Sequence, residues 1–147
     1  MSSPAPLPVD IYRSAQRGEL QKVVKWLRKE GPVDALHSVL TRDGRTSTDT
    51  LLQAAAACGQ LEMVRMLLQR GAGVNLQTSL GNTALMDAAF NGHRSIVLLL
   101  LQHSADPDLQ NIDGETVLMS AAFQGHEACA KALLRAKANV ELLDKDG

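Results

Sequence analysis

Apolar and polar positions along this chain follow one template that returns. From Gly81 it reads Thr83-Ala84-Leu85-Met86, then Ala88-Ala89-Phe90, a Gly92-His93 break, and the aliphatic Ile96-Val97 and Leu100-Leu101. From Gly114 it reads Thr116-Val117-Leu118-Met119, Ala121-Ala122-Phe123, Gly125-His126, Cys129-Ala130 and Leu133-Leu134. Gly81, Gly114 and Gly147 are spaced 33 residues apart. A fixed period of this size marks a repeat array. Within each unit the apolar residues recur at helical spacing on two short stretches divided by a glycine. The pattern predicts a helix over 9–17 with Ile11 and Ala15 inward, stopped by Gly18. It predicts a second over 20–29, with Leu20, Val23, Val24 and Leu27 apolar, Trp26 as a core plug and Gly31-Pro32 as its end. The next unit places Leu51, Leu52, Ala55 and Ala56 on one helix and Leu61, Met63, Val64, Leu67 and Leu68 on another. A pair of short helices cannot bury its apolar face alone, so the units must stack.

The small and polar residues support the same plan. The pairs Ala55-Ala56, Ala88-Ala89 and Ala121-Ala122 let neighbouring helices approach closely. Gly59, Gly92 and Gly125 end the first helices where positive φ is favoured. Thr50, Thr83 and Thr116 stand where a hydroxyl caps a helix start. Two stretches fall outside the period. Residues 1–8, with three prolines, are expected to be a disordered lead-in. Gly18 to Gly59 spans 41 residues, eight more than the period, so 35–47 is expected to be an inserted, lengthened loop. The expected units are then a degenerate one at 9–34 and three regular ones at 48–80, 81–113 and 114–146. Gly147 would open another, as in an excerpt from a longer protein.

On these residues the chain resembles the ankyrin-repeat family: the Gly-x-Thr opening, Ala-Ala, Gly-His, paired leucines and a Gly-Ala-Gly-Val-Asn exit at 71–75. The match is strong over 81–147, good over 48–80 and weak over 9–34. The resemblance implies an all-α ankyrin solenoid of helix-turn-helix units joined by β-hairpin-like loops. The chain departs from the family at two positions. The family proline is replaced by Leu51, Ala84 and Val117, and the family histidine by Gln53, Met86 and Met119. In the family that histidine belongs to a hydrogen-bond network between repeats. Methionine cannot donate, so stability here is expected to lean more on packing.

Composition narrows the picture without changing it. Aromatics are only 3% of the chain, so the core must be aliphatic. A net charge of −1 gives no single-sign field to attract a nucleic-acid backbone or an anionic membrane. No apolar run is long enough to span a bilayer, and the N-terminus lacks a secretory pattern. Cys58 and Cys129 form neither a disulfide framework nor a zinc spacing, which suits the cytoplasm or nucleus. Thiol or hydrolytic catalysis would need one of them beside His93, His103 or His126. The repeat period makes His93 and His126 structural, Cys129 falls on the buried stripe, and Cys58 is expected to be exposed. The scattered histidines hold no metal, Gly71-Ala72-Gly73 is no phosphate loop, and no cofactor is expected.

What remains is recognition of another protein by a monomeric, non-catalytic scaffold, adaptor or targeting module. The alternatives are a regulatory region of a larger enzyme or channel, or a structural spacer. In the family, partners bind mostly on the concave face. By alignment that face carries Asp49, Cys58 and Arg70 in the second unit. In the third it carries Leu80, Asn82, Phe90, Asn91 and His103, and in the fourth Ile112, Glu115, Phe123 and Gln124. Phe90 and Phe123, the only phenylalanines, occupy equivalent places and are candidate anchors. Resemblance also makes Asn75, with Leu67 eight residues before it, a candidate for asparaginyl hydroxylation. The plainer alternative is a turn residue bonding its own backbone.

Overall fold

The computed structural model describes residues 6–146. The expectations for residues 1–5 and Gly147 lie outside them. In chain order the elements are α1 (Val9–Arg17), α2 (Leu20–Arg28), β1 (His37–Leu40), β2 (Thr46–Asp49), α3 (Leu51–Ala57), α4 (Leu61–Gln69), α5 (Ala84–Phe90), α6 (Arg94–Gln102), α7 (Val117–Phe123) and α8 (Glu127–Arg135). The first helices α1, α3, α5 and α7 pack in a row, and α4, α6 and α8 form a second row behind them. Leu51, Leu52, Val64, Leu67, Leu85, Ile96, Val97, Leu100 and Leu133 fill the space between the rows, and Ala55, Ala56, Ala88 and Ala89 are wholly buried where first helices meet.

Each first helix of the regular units begins alike. The hydroxyls of Thr50, Thr83 and Thr116 accept from the backbone N–H of Gln53, Met86 and Met119. The residue three places on returns the bond. The Gln53 Oε1 accepts from Thr50 N–H at 2.7 Å, and the Met86 and Met119 sulfurs accept from Thr83 and Thr116 N–H at 3.4 Å. This is a reciprocal capping box, with the thioether as a weak acceptor in two of three cases. Only Gln53 can also donate, and its Nε2 reaches the Leu76 and Asn82 carbonyls of the next unit at 3.0 and 3.3 Å. The methionines supply no such bond.

The helix breaks do two jobs. Gly59 and Gly92 have φ of 75° and 74°, a region costly for any residue with a Cβ. A Cβ at either would also collide with the ring of the next unit's His93 or His126. From that position His93 Nε2 donates to the Ala57 carbonyl at 3.1 Å and His126 Nε2 to the Phe90 carbonyl at 2.9 Å. Gln60 repeats the contact, donating to the Gln16 carbonyl at 2.9 Å. These bonds tie each unit to the one before.

Four expectations need correction or refinement. Segment 35–47, expected as an inserted, lengthened loop, is built mostly of strands: it belongs to an antiparallel β-hairpin, paired from His37 with Asp49 to Leu40 with Thr46. Thr41 N–H donates to the Arg45 carbonyl and Gly44 takes φ 82° at the tip, so the extra residues close as paired strands. Helix α2 ends at Arg28, before Gly31, and the left-handed position is taken by Glu30 at φ 67°. Trp26 is half-buried at the margin of the core rather than plugging it. Leu7, placed in the disordered lead-in, is 2% exposed, and its N–H donates to the Leu36 carbonyl at 2.8 Å. A large apolar side chain between two prolines gains by burial where the flanking backbone has little freedom to lose.

Candidate functional site

The long first hairpin and the shorter turns after it project beyond the first helices, and a groove runs beneath them. Its volume is about 570 Å³. The hairpin tip contributes Thr41, Arg42, Asp43 and Arg45; the turns contribute Leu80, Asn82, Asn111, Asp113 and Glu115; the helices contribute Met86, Asp87, Phe90 and Ser120. A second cleft of about 370 Å³ continues it toward α7, sharing Phe90, Glu115 and Ser120 and adding Met119, Phe123, Gln124 and Asp144.

The turns are rigidly built. Asn111 closes one of them: its Oδ1 accepts from Asp113 and Glu115 N–H, both at 3.0 Å, while its Nδ2 donates to Asn82 Oδ1 and Glu115 Oε2. Neighbouring turns are stitched by Ile112 N–H to the Leu80 carbonyl and Lys145 N–H to the Asp113 carbonyl, each 3.0 Å. Behind them a second ladder links the exits of successive units. Asp34 accepts from Gly73 N–H at 3.0 Å, Asn75 from Asp106 N–H at 2.8 Å and Asp108 from Asn139 N–H at 2.7 Å. Asn75 thus bonds the following unit instead of its own backbone.

The groove is electrically uneven. Asp87 on α5 is pushed well above the ordinary carboxylate range by burial and by neighbouring Asp49. Burial raises Asp49 too, although Tyr12 Oη–H donates to it at 2.8 Å. Asp113 is held low by Lys145, whose ammonium donates to it at 2.8 Å, and Arg45 approaches the same carboxylate at 3.9 Å. The thiols of Cys58 and Cys129 are both raised, chiefly by burial, which is opposite to the shift that makes a thiolate nucleophile. Among the described residues no group of three or more His, Cys, Asp or Glu side chains is placed to hold a metal. Among the same residues no helix is long and apolar enough to cross a membrane.

The family comparison agrees with this architecture. The family described as Ankyrin repeats (3 copies) matches residues 11–111, and that described as Ankyrin repeats (many copies) matches residues 95–134. The chain belongs to the ankyrin-repeat family. Such repeats are in general protein–protein interaction modules and are typically non-catalytic. A comparison with curated proteins finds no match.

Within the ankyrin stack the residues aligned to the family's concave face separate into groups. Leu80, Asn82, Phe90, Glu115, Phe123 and Gln124 line the groove or its continuation. Ile112 is exposed on the turn beside it, and Asp49 ends β2 with its carboxylate on Tyr12. Cys58 and Asn91 cap the C-terminal ends of α3 and α5. Arg70 and His103 cap α4 and α6 in the second row and are not groove-lining. Alignment passed over Met86, Asp87, Met119 and Ser120. Each stands three or four residues before Phe90 or Phe123, so helical spacing from the phenylalanines places it on the same face. Arg42, Asp43 and Arg45 carry no repeat signal because they belong to the insertion.

Proposed function

We propose that this ankyrin stack is a scaffold, adaptor or targeting module that takes a partner protein into the groove between its hairpins and first helices. The observation that carries this is the exposure of Phe90 and Phe123, 48% and 88%, at equivalent places in one continuous groove. A wholly structural phenylalanine would be buried, because leaving its ring in water forfeits about 1.5–3 kcal/mol. Exposed aromatics over a pre-formed backbone are efficient anchors, since little freedom is lost on binding. The module acts as a monomer, and its two free thiols suit the cytoplasm or nucleus.

The test is affinity capture from a eukaryotic lysate, read by mass spectrometry, with the wild-type chain and a Phe90→Ala/Phe123→Ala variant of matched helicity. The expected result is a partner retained by the first and lost by the second. A partner held equally by both would place recognition elsewhere.

A further inference from the structure

We propose that the groove's occupant is an arginine-bearing segment of the partner protein, its guanidinium seated between Phe90 and Phe123 against Glu115 and Asp144. This rests on the protein-binding reading of the groove and specifies its chemistry. The continuation cleft is walled by two exposed phenylalanine rings and by Met119, and its charged lining residues, Glu115 and Asp144, are both carboxylates. Neither makes a salt bridge to a described residue: Glu115 accepts from Asn111 Nδ2, and Asp144 accepts from Asp146 N–H.

Aromatic faces and carboxylates together select a cation with a flat, weakly hydrated head. A guanidinium stacks on a ring and bonds a carboxylate through two N–H groups at once, and an ammonium does neither as well. An anionic segment would meet the carboxylates unpaired, and an aliphatic one would bury them without compensation. The cations already present lie at the other end of the groove, where Lys145 pairs with Asp113 at 2.8 Å and Arg45 with Asp43 at 2.6 Å. The hairpin tip brings Arg42 and Arg45 into the lining, and Arg45 lies 3.9 Å from Asp113. The lining of the phenylalanine end has no cation among the described residues.

The experiment is selection of displayed random dodecapeptides on the full chain. The strongest binder is then synthesised and its affinity measured by fluorescence anisotropy at low and high salt. The tests are on the wild-type chain, Glu115→Gln/Asp144→Asn and Phe90→Ala/Phe123→Ala. The carboxamide replacements keep shape at solvent-accessible positions, so folding, checked by circular dichroism, should persist. Expected are enrichment of arginine, weakening by roughly tenfold or more when that arginine becomes alanine or both carboxylates are neutralised, and weakening with salt. Binders that need both phenylalanines but carry no arginine would overturn the occupant while sparing the groove as a protein-binding surface. Arginine-rich binders indifferent to Glu115→Gln/Asp144→Asn would also overturn it. Binders indifferent to the phenylalanines, or none at all, would remove both readings.

Discussion

Helices α5 and α7 carry nearly the same seven residues, Ala-Leu-Met-Asp-Ala-Ala-Phe and Val-Leu-Met-Ser-Ala-Ala-Phe, and live in different surroundings. α5 packs between α3 and α7, and Ala84, Leu85, Met86, Ala88 and Ala89 are all buried. α7 packs on α5 from one side, and only Val117 and Ala121 are buried. Leu118 and Met119 are half-buried and Ala122 is exposed. The repeat motif therefore specifies a helix and its caps, while each residue's energetic weight is set by whether a neighbouring unit covers it. That is the expected behaviour of a stack whose stability is a sum of unit and interface terms.

The largest effect should come from the equivalent leucines Leu85 on α5 and Leu118 on α7. Leu85→Ala should cost about 3 kcal/mol in urea unfolding, the usual loss for a fully buried leucine, and Leu118→Ala about half of that or less. Equal costs would mean that burial on α7 matters more than its exposure suggests. Ala89→Leu should cost about 2 kcal/mol by overpacking, and Ala122→Leu should lie within about 0.5 kcal/mol of wild type. Gln53→Met, which gives α3 the residue found on α5 and α7, should cost about 1–2 kcal/mol. The reason is that the Leu76 and Asn82 carbonyls lose their side-chain donor. If it is neutral, the inter-unit bond adds nothing beyond packing.

Ser104→Gly should raise stability by about 1 kcal/mol. Ser104 and Lys137 take φ of 66° and 62° at the position where the second unit has Gly71, and a left-handed residue with a Cβ costs about 1–2 kcal/mol. The smallest effect concerns pH. The native pKa of Asp87 is raised, so between the ordinary carboxylate range and that raised value the folded state holds a proton the unfolded chain has released. Stability then falls as pH rises through that window. Asp87→Asn should therefore melt higher than wild type at neutral pH and converge with it in acid. Ser120 occupies the same place on the less covered α7, and Ser120→Asp should show a weaker pH dependence. Thermal melts across pH check both.

The legible part of the molecule was the part that obeys local rules. The threonine caps, the glycine breaks and the alternation of helix faces depend on contacts within a few residues, so the period of 33 carried them into each regular unit. The resemblance to ankyrin repeats followed from the same positions and is confirmed by the family match. The hairpin at 37–49 was not legible, because Thr41 to Ser47 has no counterpart in the other units to be read against. Leu7 was hidden by its prolines, whose composition suggests disorder when the burial partner is thirty residues away in sequence. The groove was half legible: alignment reached its phenylalanines and Glu115, but the hairpin arginines enter only through the tertiary placement of an insertion.

By itself, then, the sequence determined the units, their caps and breaks, the aliphatic core and the family, because each rests on spacing and on the conformational preferences of neighbouring residues. The tertiary structure alone decided three things. It decided which copy of a repeated residue is buried, that Asn75 and Asp108 latch the next unit, and that Arg45 faces Asp113 across the groove. Those depend on which surfaces meet after stacking, and a distance between units 30 or more residues apart is not encoded in any local pattern.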